Sequence, residues 1–463
     1  MLPRNLNLIV VVAIVSLFCH SLHRQTRRAL VVGEAIDLID RYYVEEVESD
    51  DLLLSAMQGV TADLDEHSQY IPAKAFDTFQ DQISQEFAGI GIYVDQPNEN
   101  QPVRVLTPLV GSPALAAGLL PGDLILQVDD EKVGAMNIQD VSDRLRGPIG
   151  TTVRLLVGRD EEELPITVKR ARIELESVLG DHRGPDQDWI FRLKSHPNIA
   201  YIRMTSFGEK TVQELGEVLA DLNNEFEAIV LDLRGNGGGL LDAAAKVVDM
   251  FIDEGQIVST RLRDGSIEDE FTASAGTLVA KDKPMAVLID QESASASEIV
   301  AAALQDHSRA VVAGTRSYGK GTVQHVLPLE YGRSALRLTV AKYYRPSGKN
   351  IHRSKDATDE EVWGVSPDEG MSIAMDEATQ IRLAQVWREA SYPLLKDSGV
   401  DDLELQLAED ASDEAQAIVD GLNDNEKLRG LDLDQQLRIA VERLNALLGD
   451  SAVNQPEAKK QAA

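Results

Sequence analysis

The sequence predicts an α/β multidomain chain, in which an α/β core carries an inserted β-rich module and is flanked by helical segments. Two changes of pattern lead there. Helix-spaced apolar residues give way at Glu86 to short β-type runs broken by Gly and Pro, and beyond residue 172 strands alternate with amphipathic helices, as in a sheet covered by helices. Length agrees: 463 residues exceed one ordinary core, and two or three domains are expected.

Charge and cysteine count bound the partners. The 45 basic and 77 acidic residues leave a formal charge of −32, which repels polyanions, so nucleic acid is not an expected partner. Cys19 is the only cysteine, which rules out an intrachain disulfide and a cysteine-based metal site. No spacing among the eight histidines suggests zinc ligation, and no metal or other cofactor is expected.

The first element is the apolar run "LNLIVVVAIVSLFCHSL", Leu6 to Leu22, which has no charged side chain and follows Arg4. Residues 1–28 read as a signal anchor or signal peptide, an uncleaved anchor being favoured because an A-x-A-like cleavage site is missing. A membrane partner and a body outside the cytoplasm, in the envelope of a bacterium, follow as expectations. Arg24, Arg27 and Arg28 place more positive charge after the run than before it, against the usual bias for an exported body. Residues 29–85 then read as packing helices, from "VVGEAIDLIDRYYVEEV" and "DDLLLSAMQGVTADLD".

Residues 86–172 form the β-rich module, with runs "FAGIGIYV", "VRVLTPL", "GDLILQVDDEKV", "TVRLLVGR" and "LPITVKRARI". A short helix in "SPALAAGLLPGD" and a second in "NIQDVSDRLRG", ended by Gly147, lie between strands. Taken together, "FAGIGIYV", "SPALAAGLLPGDLILQVDDEKV" and "LRGPIGTTVRLLV" resemble a PDZ domain of the type found in bacterial proteases. The resemblance implies that Phe87 to Ile92, with Gly89, Ile90, Gly91 and Ile92, offers backbone N–H groups to a substrate's C-terminal carboxylate. Two glycines easing a strand entry would look the same.

The core, residues 173–369, contains strand-like "NIAYIRMTSF", "EAIVLDLR" and "PMAVLID", with helices in "EKTVQELGEVLADLNN" and after "GNGGG". That Gly-rich turn presents amides beside a positive helix N-terminus, suiting an oxyanion or a phosphate alike. In "QESASASEIVAAALQD", serines at two-residue spacing enter a helix, where one could be a nucleophile or an N-cap, Glu298 completing a capping box with Ser295. "AGTRSYGKGTVQ" nearly spells a phosphate loop at Lys320. That reading fails because Gly321 stands where a magnesium-holding Ser or Thr is needed, and a β-type run follows where a helix should. A lysine in a turn downstream of a serine-bearing helix remains. It can act as base for that serine if its surroundings keep it neutral.

Across about residues 30–370 the chain resembles the C-terminal processing peptidases, or tail-specific proteases, through "LDLRGNGGGLL", "ESASASEIVAAALQD", "GTRSYGKGTVQ", "LRLTVAKYYRPSGKNIH" and "GVSPD". The resemblance implies an α/β protease core with an inserted PDZ-like domain. It further implies nucleophile Ser295, base Lys320, lysine-orienting Gln324, and oxyanion donors from the N–H of Ala296 and of Gly238 or Gly239. Many relatives carry Pro where this chain has Gly237. Asp306-His307 invites a Ser-His-Asp triad, but adjacent helix positions do not face each other, and helix C-terminal compensation suits His307 better.

Residues 370–450 read as an acidic helical region that caps the core or makes homo-oligomer contacts, its acidic face solvated by default. Residues 451–463 read as a disordered tail. Two functions compete: an endopeptidase acting on unfolded or tail-exposed protein substrates, and a non-catalytic PDZ adaptor or holdase on a protease-like fold. Arg146, near the end of the module's second helix, is a candidate latch or ligand contact, a helix C-terminal charge being the alternative.

Overall fold

The computed structural model describes residues 27, 29–96, 101–134, 136–358, 361–396, 398 and 430–453. The apolar run at 6–22, residues 399–429 of the acidic region and the last ten residues lie outside these. Among the described residues no helix is long and apolar enough to cross a membrane. The chain divides into two compact units, Met1–Thr78 with Gln324–Val340, and Phe79–Val323 with Ala341–Ala463.

In the first unit, helices at 29–42 and Ser49–Ala62 are followed by strand Gln69–Ile71, which pairs antiparallel with residues 335–337. The sequence reading expects a mostly helical region here and no strand. Three residues between two helices give no period of their own, and the strand exists because a partner 266 positions later in the chain supplies its hydrogen bonds, Ile71 facing Ala335. Helix Ala73–Ser84 comes next and ends in the second unit.

The second unit holds the β-rich module and the core. The module's main sheet has the order Ile92–Asp95, Arg104–Pro108, Leu124–Val128, Thr152–Arg159, Glu162–Lys169, and its interior is filled by residues such as Val105, Leu119, Ile125, Val141, Val153 and Val157. "FAGIGIYV" is two strands. Glu86–Gly89 pairs instead with Ala171–Glu174, so this ladder reaches beyond the expected edge at residue 172. The break falls at Ile90-Gly91, where Gly91 has φ +78° and an added Cβ would lie 2.6 Å from Ser112 Cβ. Both expected helices form with side-chain caps: Ser112 Oγ accepts from Leu115 N, and Asn137 Oδ1 accepts from Asp140 N.

The core sheet runs Val178–Leu179, Ile199–Met204, Ala228–Asp232, Met285–Ile289, Val311–Gly314, the last four parallel. Ala228–Asp232 and Met285–Ile289 are buried at every position, which is why they read as continuous apolar runs rather than alternating ones. Helix Thr211–Leu222 ends at Asn223, whose left-handed φ of 45° suits a C-cap. Helix Gln435–Val453 buries Leu437, Ala440, Val441 and Leu444 against the core strands and extends past the expected start of the tail at 451.

The acidic C-terminal region is more than a solvated face. Asp434 is buried and accepts two hydrogen bonds from Arg234, at 2.8 and 2.7 Å, while Asp232 holds the same guanidinium from the other side. Trp387, on helix Glu377–Ser391, lies under Arg203 and Arg234 at 3.7 and 4.9 Å from its ring centre.

Candidate active site

Strand Met285–Ile289 ends at the sheet's carboxyl edge, and a turn carries the chain into helix Ala296–Asp306. Ser295 sits at that junction with φ 58° and ψ −113°, a conformation costly for any residue but Gly. A strand-to-helix elbow of this kind lifts a serine hydroxyl out of the backbone and beside the helix's first amides.

The three serines separate by what their hydroxyls meet. Ser293 Oγ donates to Leu233 O at 2.9 Å and Ser297 Oγ to Asn236 O at 2.8 Å, so both tie the elbow to the Gly-rich loop. Ser295 Oγ meets the Tyr343 hydroxyl at 2.7 Å. The loop itself lies against the elbow: a Cβ on Gly238, which has φ +101°, would come within 2.7 Å of Ser295 Cβ and 3.0 Å of Ala296 N. Gly238, Ser295 and Ala296 are thus brought together. The Gly238 N–H, expected as an oxyanion donor, here donates to Asn236 Oδ1 at 2.8 Å. An asparagine two residues upstream can fold back on the amide it precedes, a local competition that glycine spacing alone does not reveal.

Glu298 joins the serine elbow to the lysine turn. It is fully buried, and its Oε2 accepts from the N–H groups of Ser295 (2.9 Å) and Lys320 (2.8 Å). Its Oε1 accepts from Gly319 N (2.7 Å) and Ser317 Oγ (2.6 Å). Burial pushes this carboxyl up to about 7, against the pull of the four donors. The sequence reading gave Glu298 a capping role only; the serine half of the link has the spacing of a capping box, but the lysine half is made by tertiary folding. Lys320 is half-buried in the turn between strands Val311–Gly314 and Thr322–Leu329.

Gln324 belongs to the other unit, where its Nε2 donates to Thr339 Oγ1 at 3.1 Å and Thr339 donates onward to Asp65 at 3.1 Å. His307 does not join a triad. Its Nε2 contacts the Gln256 carbonyl at 2.8 Å, and Asp306 is held by Arg345 at 2.6 Å.

In the β-rich module, the carbonyl of Ile90 accepts from Ala114 N and that of Gly91 from Leu109 N. Trans planarity of these peptides turns the N–H groups of Gly91 and Ile92 the opposite way. Arg146 reaches out of the module: Nη1 donates to Asp81, on helix Ala73–Ser84, and the guanidinium lies 5.2 Å from the Phe87 ring centre. The helix-end role weighed for Arg146 is filled by buried Arg170, whose Nε donates to Leu145 O and Nη2 to Arg144 O. A cavity of about 1360 Å³, lined by Tyr93, Ser112, Arg203, Gly235, Glu292 and Trp387 among others, contains neither Ser295 nor Lys320. Among the described residues no cluster of His, Cys, Asp or Glu could hold a metal ion.

An elbow serine against a Gly-rich loop, in an α/β core joined to a small β-rich module, defines a hydrolase of the serine type. Comparison with known proteins identifies the kind. Residues 198–370 match the family described as Peptidase family S41, and residues 104–159 match the PDZ domain. The chain is 38% identical over 327 residues to a carboxy-terminal-processing protease of Bartonella bacilliformis, a match spanning 69% of this chain and 71% of that protein. It is 32% identical over 328 residues to the carboxy-terminal processing protease CtpB of Bacillus subtilis, spanning 70% of this chain and 65% of that one. The solved photosystem II D1 C-terminal processing protease aligns with 80% of this chain and 97% of its own at 26% identity, with a TM-score of 0.42. The chain belongs to peptidase family S41, among the carboxy-terminal-processing serine proteases.

Proposed function

We propose that this protein is an endopeptidase that binds the C-terminal tails of unfolded or tail-exposed proteins through its PDZ-like module and cleaves them with a Ser295/Lys320 dyad. The observation that carries this reading is the Glu298 carboxylate, which holds the backbone amides of Ser295 and Lys320 on one oxygen and so couples the two turns. Neutral Lys320 takes the Ser295 proton as Oγ attacks the scissile carbonyl, and the resulting ammonium later protonates the leaving amine. Gln324 orients the lysine. Ala296 N–H supplies one oxyanion donor, and Gly238 or Gly239 the second. If Gly238 serves, its N–H exchanges Asn236 for the substrate oxyanion.

The tail carboxylate docks at Gly89 to Ile92, a reading supported by the inward carbonyls of Ile90 and Gly91. Arg146 latches the module through Asp81 until a tail binds, by population shift toward a state the ligand prefers. The segment at 6–22 anchors the protein in a bacterial membrane with its body outside the cytoplasm.

The test incubates the protein with peptides bearing a free or an amidated C-terminus and reads fragments by mass spectrometry, alongside Ser295→Ala and Lys320→Ala. Cleavage that is lost in both variants and reduced by amidation is expected. Turnover surviving in Ser295→Ala would overturn the dyad, and equal cleavage of both peptides would overturn carboxylate recognition.

A further inference from the structure

Tyr343 is buried on strand Ser334–Tyr344, 48 residues after Ser295 in the chain, and its hydroxyl lies 2.7 Å from Ser295 Oγ. Its backbone is fixed at three points. Tyr343 N donates to Gly321 O, next to Lys320, Asn350 Nδ2 donates to Tyr343 O, and Thr260 faces it across the antiparallel pair with strand Gln256–Leu262. The backbone that carries the ring is therefore bonded directly to the lysine turn, at Gly321 O.

We infer that Tyr343 is a further catalytic residue of the dyad reading: its phenol donates a hydrogen bond to Ser295 Oγ, which turns the serine's own proton toward Lys320 and then stabilises the charge that gathers on Oγ as that proton leaves. The phenol proton stays on Tyr343 throughout. In the acylation step the Ser295 proton passes to the lysine amine, the Oγ–C bond forms, and the carbonyl π pair moves to oxygen. When the tetrahedral intermediate collapses, the C–N bond breaks and the leaving amine takes the lysine proton. A donor is of use only if it is protonated, and burial pushes the Tyr343 phenol up to about 12, aided by the charge of Glu298 and opposed by the bond to Ser295. It is a neutral donor at any working pH. The bond strengthens as Oγ gains negative charge, which is the condition for it to accelerate the reaction rather than merely bind the ground state.

The experiment compares wild type, Tyr343→Phe, a variant with 4-aminophenylalanine at 343, and Ser295→Ala. It measures the second-order rate of labelling by a fluorophosphonate, which reports chemistry at the serine, and kcat and KM on a peptide. Tyr343→Phe is expected to label about 10- to 100-fold more slowly, with kcat reduced in proportion and KM within about twofold, and the aminophenyl side chain to restore most of the rate because it returns a donor to the same place. Unchanged or faster labelling in Tyr343→Phe, or slow labelling that the aminophenyl variant does not rescue, overturns the inference while the dyad stands, provided Ser295→Ala is silent. Labelling that persists in Ser295→Ala overturns the dyad and with it this role for Tyr343.

Discussion

Removing the Glu298 side chain should uncouple the two turns that carry Ser295 and Lys320, and the structure gives the scale. Glu298→Ala strands the backbone N–H groups of Ser295, Gly319 and Lys320 in a buried site. At about 1 kcal/mol for each orphaned donor, the low end of the usual range, the loss is about 3 kcal/mol. Glu298→Gln should cost less. Ser317, whose hydroxyl also accepts from Val365 N, can rotate to accept from the new amide, so a single N–H, that of Gly319, is left without a partner, for about 1 kcal/mol on the same scale. The pH dependence provides an independent reading. A carboxyl raised from 4.5 to about 7 is protonated in the folded state while the unfolded one has ionised. Its stability contribution is thus complete below about pH 4.5 and lost as pH rises through 7, a change of about 3 kcal/mol. Denaturant melts from pH 4.5 to 8 and fluorophosphonate labelling at each pH check both claims. Glu298→Gln should remove that part of the stability slope, and Glu298→Ala should lower the labelling rate at least tenfold. An unaltered slope in Glu298→Gln, or wild-type labelling in Glu298→Ala, would refute the coupling.

Three other outcomes follow from the same geometry. Gly238→Ala should abolish peptide cleavage, because a Cβ there would lie 2.7 Å from both Ala294 O and Ser295 Cβ, whereas Gly237→Ala, with nothing within 4 Å of its added Cβ, should keep most of it; kcat for the two variants decides. Asp434→Ala should destabilise the second unit by about 3 kcal/mol, since it removes one of two carboxylates from a fully buried guanidinium, and amide exchange across 430–453 should rise; exchange equal to wild type would contradict this. His307→Ala should leave the pH–rate profile of cleavage in place, as its ring nitrogen is engaged by the Gln256 carbonyl; a lost alkaline limb would revive the triad.

Much of the architecture was legible because it is written in local pattern. Val230 and Leu288 lie in runs with no polar alternation, which only a strand buried on both faces tolerates, and Asn137 and Ser112 announce their helices by cap chemistry within four residues. The strand at Gln69–Ile71 was hidden, since three residues carry too little period to outweigh the helices beside them. The burial of Asp434 was hidden too: an acidic run reads as solvated unless the arginine 200 residues away is known to meet it.

The candidate site divides along the same line. The sequence by itself determined which residue types stand at which spacing: a serine at a strand-to-helix turn, a Gly-rich loop before a helix, a lysine in a turn, and hence the family. Tertiary structure alone decided what each serine hydroxyl meets: those of Ser293 and Ser297 donate to the Leu233 and Asn236 carbonyls, and that of Ser295 meets the Tyr343 hydroxyl. It also decided that Glu298 spans both turns and that the hydroxyl of Tyr343 arrives at Ser295 Oγ. The physical reason is one of range. Caps, turns and periodicity act between residues a few positions apart, and a chain records them in order. A hydrogen bond between a buried phenol and a serine 48 residues away depends on how separate strands are laid side by side, and no local pattern encodes that distance.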